Sequence, residues 1–216
     1  MVHILKSYDN DLAKLKSMLI DMMTTNLTQL NLLHSLVSKF SKEIQDEVCD
    51  IDSKINELDA KIIDESIKIF SLRNPVAYDL RFVFSASHVS RNLERMGDNA
   101  KSISRYISSD FANDTLKNKY LEMLHLLIEM LHLTIESFTY MNVDTSKKVQ
   151  SMDLRVDELH NEISDFLLHK IQLAPDKISE IRSHFLVVRN LERIGDHNVN
   201  ICRYVAFIEN NTVVHD

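Results

Sequence analysis

Apolar residues recur at spacings of three and four along nearly the whole chain. Between Ser41 and Leu72 the residues Ile44, Val48, Ile51, Ile55, Leu58 and Ile62 form one stripe, the period of an amphipathic helix packed in an antiparallel bundle. Extended along the sequence, this period predicts helices over residues 8–37, 41–72, 75–107, 113–141, 144–173 and 175–210. Pro75 suits a helix start, because the N–H it lacks would be unpaired there anyway. Asp144 suits an N-cap.

The third and sixth of these helices carry the same text. Residues 91–106 read RNLERMGDNAKSISRY and residues 189–204 read RNLERIGDHNVNICRY, identical at ten of sixteen positions with an offset of 98. Upstream, Asp52-Ser-Lys-Ile-Asn56-Glu-Leu aligns with Asp153-Leu-Arg-Val-Asp157-Glu-Leu at an offset of 101. Repetition on this scale means one supersecondary unit used twice. Capping residues gather from Ser108-Ser109-Asp110 to Asn113-Asp114 and interrupt the apolar period, so the chain is divided into 1–109 and 110–216. The expected fold is all-α: two tandem three-helix bundles, six long helices, related by a pseudo-twofold axis.

Composition agrees. The 216 residues include only two glycines and two prolines, too little turn chemistry for a β-rich fold. Both glycines, Gly97 and Gly195, fall inside the repeated helices. With 25 Lys and Arg against 32 Asp and Glu the formal charge is -7, so no general basic field exists to bind nucleic acid. Cys49 and Cys202 follow no metal or redox spacing and read as small buried apolar residues. The richest apolar stretch, Leu124 to Ile135, is interrupted by His125, Glu129 and His132 and falls short of the ~20 residues a membrane span needs. With no targeting pattern at the start, a soluble protein of the cytoplasm is expected.

Candidate chemistry lies in the acidic rows. On the third helix Val89, Leu93, Met96, Ala100 and Ile103 share an apolar arc, and Glu94, Asp98 and Arg105 share a stripe roughly opposite. Such a stripe is ordinarily a solvated face. Acidic pairs four residues apart repel, however, and the pattern recurs at Glu94/Asp98, Glu192/Asp196 and Asp153/Asp157. Asp52/Asn56 and Asp153/Asp157 border the apolar stripes of the preceding helices, so packing brings two acidic rows face to face. A glycine inside each motif helix costs about 1 kcal/mol relative to Ala, which implies close backbone approach or room for a ligand. Facing carboxylates one turn apart suit hard cations such as Mg, Mn or Fe. The second half, with Asp153, Asp157, Glu192, Asp196 and Asn200, is the stronger site. In the first half Asn56 replaces one carboxylate, which lowers the charge, and Ser102 replaces the matching Asn, so weaker affinity is expected. Arg91, Arg105, Arg189 and Arg203 lie near these stripes as neutralising partners.

The repeated Leu-Glu-Arg-(Met/Ile)-Gly-Asp helix, with Asn74-Pro-Val-Ala-Tyr-Asp79-Leu-Arg81 upstream and a Tyr8-Asp-x-x-Leu12 start, resembles the PhoU family of phosphate-transport accessory and regulatory proteins. That resemblance implies a non-enzymatic regulator that represses the phosphate-starvation response when phosphate is plentiful. Its implied partners are the ATPase subunit of the ABC phosphate importer and a sensor histidine kinase, with contact to the membrane only through them; a homodimer is also expected. It further implies multinuclear metal binding, with Fe, Mn, Mg or Zn as candidates, on Asp52, Glu94 and Asp98 in the first half and on Asp153, Asp157, Glu192, Asp196 and Asn200 in the second.

Other constellations compete. Glu122-x-x-His125 and Glu129-x-x-His132 fit the Glu-x-x-His of di-iron carboxylate proteins, but both lie on one helix, about 10 Å apart along its axis. A catalytic carboxylate-bridged metalloprotein of ferritin-like type is the alternative reading, and a scaffold with solvated acidic faces is a third. His197 points away from the acidic stripe and reads as exposed. Met18, Met22, Met23, Met123, Met130 and Met141 read as core filling, with an adaptable partner surface as the alternative. No His-Glu-x-x-His, phosphate loop or nucleophile elbow occurs.

Overall fold

The structure, a computed structural model, describes residues 2–109, 111 and 113–211. Six α-helices follow in order: α1 (Val2–Ser38), α2 (Lys42–Arg73), α3 (Ala77–Ser104), α4 (Asp114–Tyr140), α5 (Val143–Leu173) and α6 (Ile178–Asn210). A single 3-10 turn, Pro175–Lys177, leads into α6. No strand occurs among the described residues. The helices hold 27 to 37 residues each, rods of about 40–55 Å.

Local chemistry sets most helix ends near the expected positions. The Ser41 hydroxyl accepts from the Ile44 N–H, and the Asn113 side chain accepts from the Leu116 N–H. At α5 the cap is Asn142 rather than Asp144: its Oδ1 accepts from the Asp144 and Thr145 N–H groups at 3.0 and 3.2 Å. Pro175 opens the 3-10 turn, whereas the buried Pro75 precedes the first turn of α3, which begins at Ala77. Asn74 ends α2 with a φ of 47°, and Ala77 has a φ of 48°. This pair of left-handed residues redirects the chain between the helices, so α3 starts later than the proline spacing suggests. The expected division at 109/110 falls on Asp110, which lies outside the described residues.

Each trio, α1-α2-α3 and α4-α5-α6, packs with all three helices in mutual contact, and the halves meet through α1 on α4 and α3 on α6. Equivalent helices therefore pair with each other, the arrangement of a pseudo-twofold axis. Helices α2 and α5 stay on the outside. The stripe on α2 is inside at Val48, Ile51, Ile55 and Ile62. Met22, Met23, Met123 and Met130 are wholly buried, with Met18 and Met141 half-buried against the core, so these methionines fill the interior. Cys202 is buried, while Cys49, on the outer helix, is half-buried.

Polar ties lock the helix ends. The Arg81 guanidinium donates from Nε and Nη2 to the Ile208 carbonyl at 2.9 and 2.7 Å, serving an acceptor in the last turn of α6 that has no partner within its own helix. The Tyr8 hydroxyl donates to Asp79 Oδ2 at 2.9 Å. Arg73 holds Asp11 through Nε and Nη2. The Tyr8, Asp79 and Arg81 of the sequence motifs are thus structural, pinning α1 and α6 to the start of α3.

Candidate metal centre

Packing of α2 on α3 and of α5 on α6 buries Asp52 fully and Glu94, Asp153 and Glu192 in part, and leaves Asp98, Asp157 and Asp196 exposed. In the second half Asp153, Asp157, Glu192 and Asp196 share one electrostatic neighbourhood. Burial pushes the Asp153 carboxyl up to about 7, reinforced by the charges of Asp157, Asp196 and Glu192. Glu192 is raised by burial and by Asp196, with His160 opposing. Burial and Asp157 raise Asp196. None of these four carboxylates has an ion-pair partner among the described residues, in contrast to Asp52, Asp59 and Glu94 in the first half.

The repeat glycines explain how close the helices come. A Cβ on Gly195 would sit 2.6 Å from Asp153 Oδ1, and one on Gly97 would sit 3.1 Å from Ile55 Cδ1 and 3.5 Å from Asp52 Oδ1. Absence of a side chain lets the preceding helix bring its carboxylate onto the motif helix. This is the close approach expected of a glycine kept inside a helix.

The first half is wired differently. Asp52 is fully buried, and Lys101 donates to its Oδ2 at 2.6 Å. That hydrogen bond raises the Lys101 ammonium above its ordinary value. Arg91 lies 3.4 Å from both Asp59 and Glu94, and Ser90 donates to Asp59 Oδ1 at 2.8 Å. Asp98 is exposed and faces a cavity of ≈ 450 Å³ between α3 and α6, which Asp196, Arg95, Arg193 and Asn200 also line. Asn200 turns its amide oxygen to Arg203 Nη1 at 2.7 Å.

The side chains fit a hard cation by donor type: four oxygen-bearing acids with no ion-pair partner among the described residues, opposed only at longer range by Arg193, Arg203 and His160, beside a glycine cradle that a Cβ would fill. As they stand, no three His, Cys, Asp or Glu side chains among the described residues come close enough together to hold a metal ion. Asp153, Asp157, Glu192 and Asp196 form an open acidic field. Glu122 pairs with Arg155 at 2.9 Å, and His125, Glu129 and His132 lie on the exposed face of α4.

Three participants escaped the sequence reading. Lys101 stands opposite Val199 in the repeat, a mismatch visible in the aligned text. Asp59 and His160 extend the rows by one further turn at the same offset of 101. His197 is half-buried rather than exposed, its Nδ1 2.9 Å from Asn92 Oδ1. Burial and the charges of Arg95 and Arg193 push its pKa down to about 4. Its direction away from the α5 groove is as expected, but α3 covers that side of α6.

Comparison with known proteins accords with this fold. The PhoU domain model matches twice, over residues 19–107 and 120–205. A phosphate-specific transport system accessory protein PhoU homolog of Pseudomonas putida is 27% identical over 98% of this chain and 84% of its own length. Its counterpart in Zymomonas mobilis subsp. mobilis is 29% identical over 95% of this chain and 87% of its own. The crystal structure of PhoU from Pseudomonas aeruginosa superposes with a TM-score of 0.85 at 25% identity, covering 95% of this chain and all of that one. The phosphate transport system regulatory protein PhoU from Streptococcus pneumoniae shares the fold with a TM-score of 0.85 at 22% identity, over 96% and 99% of the two chains. Two copies of one domain model, one in each half of a six-helix frame with the repeated Gly-Asp helices paired at its centre, establish that this chain belongs to the PhoU family.

Proposed function

We propose that the protein regulates phosphate uptake and phosphate-starvation signalling, restraining the response when phosphate is abundant, through contacts with the importer ATPase subunit and a sensor histidine kinase. The observation that carries this reading is the double match to the PhoU domain, with relatives described as accessory proteins of the phosphate-specific transport system. Its expected setting is the cytoplasmic side of the importer. No helix among the described residues is long and apolar enough to cross a membrane, so contact with the importer runs through partner surfaces. A homodimer is part of the same proposal.

The acidic field of the second half supports a metal-binding role. Asp153, Asp157, Glu192 and Asp196 would hold the ion, with Asn200 available after release from Arg203. A bound Fe, Mn, Mg or Zn ion would supply positive charge to acids that now repel. The di-iron alternative gains no support, because its Glu-x-x-His pairs stand on one exposed face.

Affinity capture with the tagged full chain from phosphate-replete cells tests the regulatory reading. Recovery of the importer ATPase and the kinase is expected, and recovery of neither overturns it. Elemental analysis of purified protein tests the metal role: the metal content should disappear in the Asp157→Ala/Asp196→Ala variant, and an unchanged content refutes the assignment.

A further inference from the structure

The two halves share a motif and a fold, yet the corresponding carboxylates, Asp52 fully buried and Asp153 half-buried, differ in their partners. Asp52 and Asp153 correspond at the offset of 101, and each lies beside the glycine of the next helix. One turn beyond that glycine the first half has Lys101 and the second has Val199. Lys101 reaches across to Asp52 Oδ2 at 2.6 Å, and its side chain retains 26% of its exposure while that of Asp52 retains none. Val199 carries no charge and is 7% exposed, so no cation enters the second half from that direction.

We propose that Lys101 takes the place of a metal ion in the first half, so that the chain carries one metal centre, on Asp153, Asp157, Glu192 and Asp196, rather than two. This inference rests on the metal reading of the second half. An ammonium tethered to α3 is present at all times and competes for Asp52 at no cost in concentration, whereas a metal must be drawn from solution. Two other features close the first half to metal. Asn56, where the second half has Asp157, removes one acid and itself donates to Asp52 Oδ2 at 3.4 Å. Arg91 engages Asp59 and Glu94 together. A dication beside Lys101 and Arg91 would meet two positive charges with too few free carboxylates to offset them. On this proposal the metal set implied by the resemblance does not fit the first half: Lys101 holds Asp52 and Arg91 holds Glu94, which leaves only Asp98 of the three without an ion-pair partner among the described residues.

Lys101 satisfies only one oxygen of Asp52. Oδ1 is buried with no hydrogen-bond partner among the described residues. Removal of Lys101 therefore leaves a fully buried carboxylate without its ammonium, the condition under which an added hard cation becomes the favoured partner. Conversely, a lysine at position 199 places an ammonium where Lys101 sits in the other half, next to Asp153.

Mn2+ binding to the chelator-stripped full chain, measured by calorimetry and by elemental analysis after gel filtration, tests the swap. Native protein should bind Mn2+ with all of it lost in Asp157→Ala/Asp196→Ala and none lost in Asp52→Asn. Val199→Lys should weaken binding by about tenfold or more with helicity intact, since it adds a counter-charge to a repelling cluster. Lys101→Val should take up additional Mn2+, removed again by Asp52→Asn, and its melting temperature should rise when Mn2+ is added. Loss of Mn2+ from Asp52→Asn with Lys101 in place overturns the proposal, as does native-like binding by Val199→Lys, and these two measurements decide the matter even if Lys101→Val fails to fold. A folded Lys101→Val that gains no Mn2+ also overturns it. Binding only after Lys101→Val would sustain the lysine substitution while refuting the second-half centre; binding in no variant refutes both.

Discussion

Lys101 Nζ lies 2.6 Å from Oδ2 of Asp52, a carboxylate with no exposed surface. Breaking a buried pair from one side strands the remaining charge and costs about 3–5 kcal/mol, whereas replacing both members by neutral groups of similar size costs far less. Lys101→Met should therefore destabilise metal-free protein by about 3 kcal/mol, and Asp52→Asn/Lys101→Met should recover most of the loss. Urea unfolding of the four members of the cycle, in the presence of chelator, measures both numbers. Additive losses would show that the pair contributes nothing.

The second half lacks such a partner, and its stability should depend on pH in a definite direction. Asp153 titrates near 7 in the folded chain against an ordinary value of 3.8. Between those values the folded state binds more protons than the unfolded one, so this group's contribution to stability falls as pH rises through the window and levels off above it. Half-exposure screens the effect to ~1 kcal/mol, or about 2–4 °C for a chain of this size. The melting temperature of Asp153→Asn minus that of native protein should grow from pH 5 to pH 7.5 in metal-free buffer. His197, whose lowered pKa acts in the opposite sense over the acidic part of that range, is common to both proteins and cancels. A flat difference refutes the assignment.

Gly195 separates helix stability from site geometry. Alanine is the better helix former by about 1 kcal/mol, but its Cβ would come within 2.6 Å of Asp153 Oδ1. The half-exposed carboxylate is the more easily displaced partner. Gly195→Ala should hold or raise the melting temperature of metal-free protein while weakening Mn2+ binding. Unaltered affinity would mean that Asp153 is not a ligand.

Arg81 ties the two halves through a double hydrogen bond to the Ile208 carbonyl. Hydrogen bonds to charged groups contribute about 1.5–3 kcal/mol, and a lysine cannot reproduce the planar two-point grip. Arg81→Lys should thus lose most of what Arg81→Ala loses. Faster amide exchange in the last turn of α6 is the expected signature in both.

The repeat made the fold legible. Stripes at three and four, two glycines confined to matching helices and a hundred-residue offset lead to six helices in two equivalent trios without reference to coordinates. Cap positions were less legible, because Asn142 and Asp144 are both good capping residues and only the backbone direction selects Asn142. Periodicity also assigned His197 its correct side of α6 but not its environment, since a helix wheel records a direction and not what lies there.

What the sequence by itself determined is therefore the class of object: helical faces, their duplication and the presence of paired acids, all properties of local spacing. Whether a given acid is neutralised depends on distances between helices far apart in the chain, and electrostatic energy changes steeply with separation and burial. Only the packing of α3 against α2 puts Lys101 on Asp52, and only α6 against α5 leaves Asp153 among three other carboxylates. The tertiary structure thus decided which of two nearly identical motifs supplies its own ammonium and which leaves its acids without an ion-pair partner among the described residues.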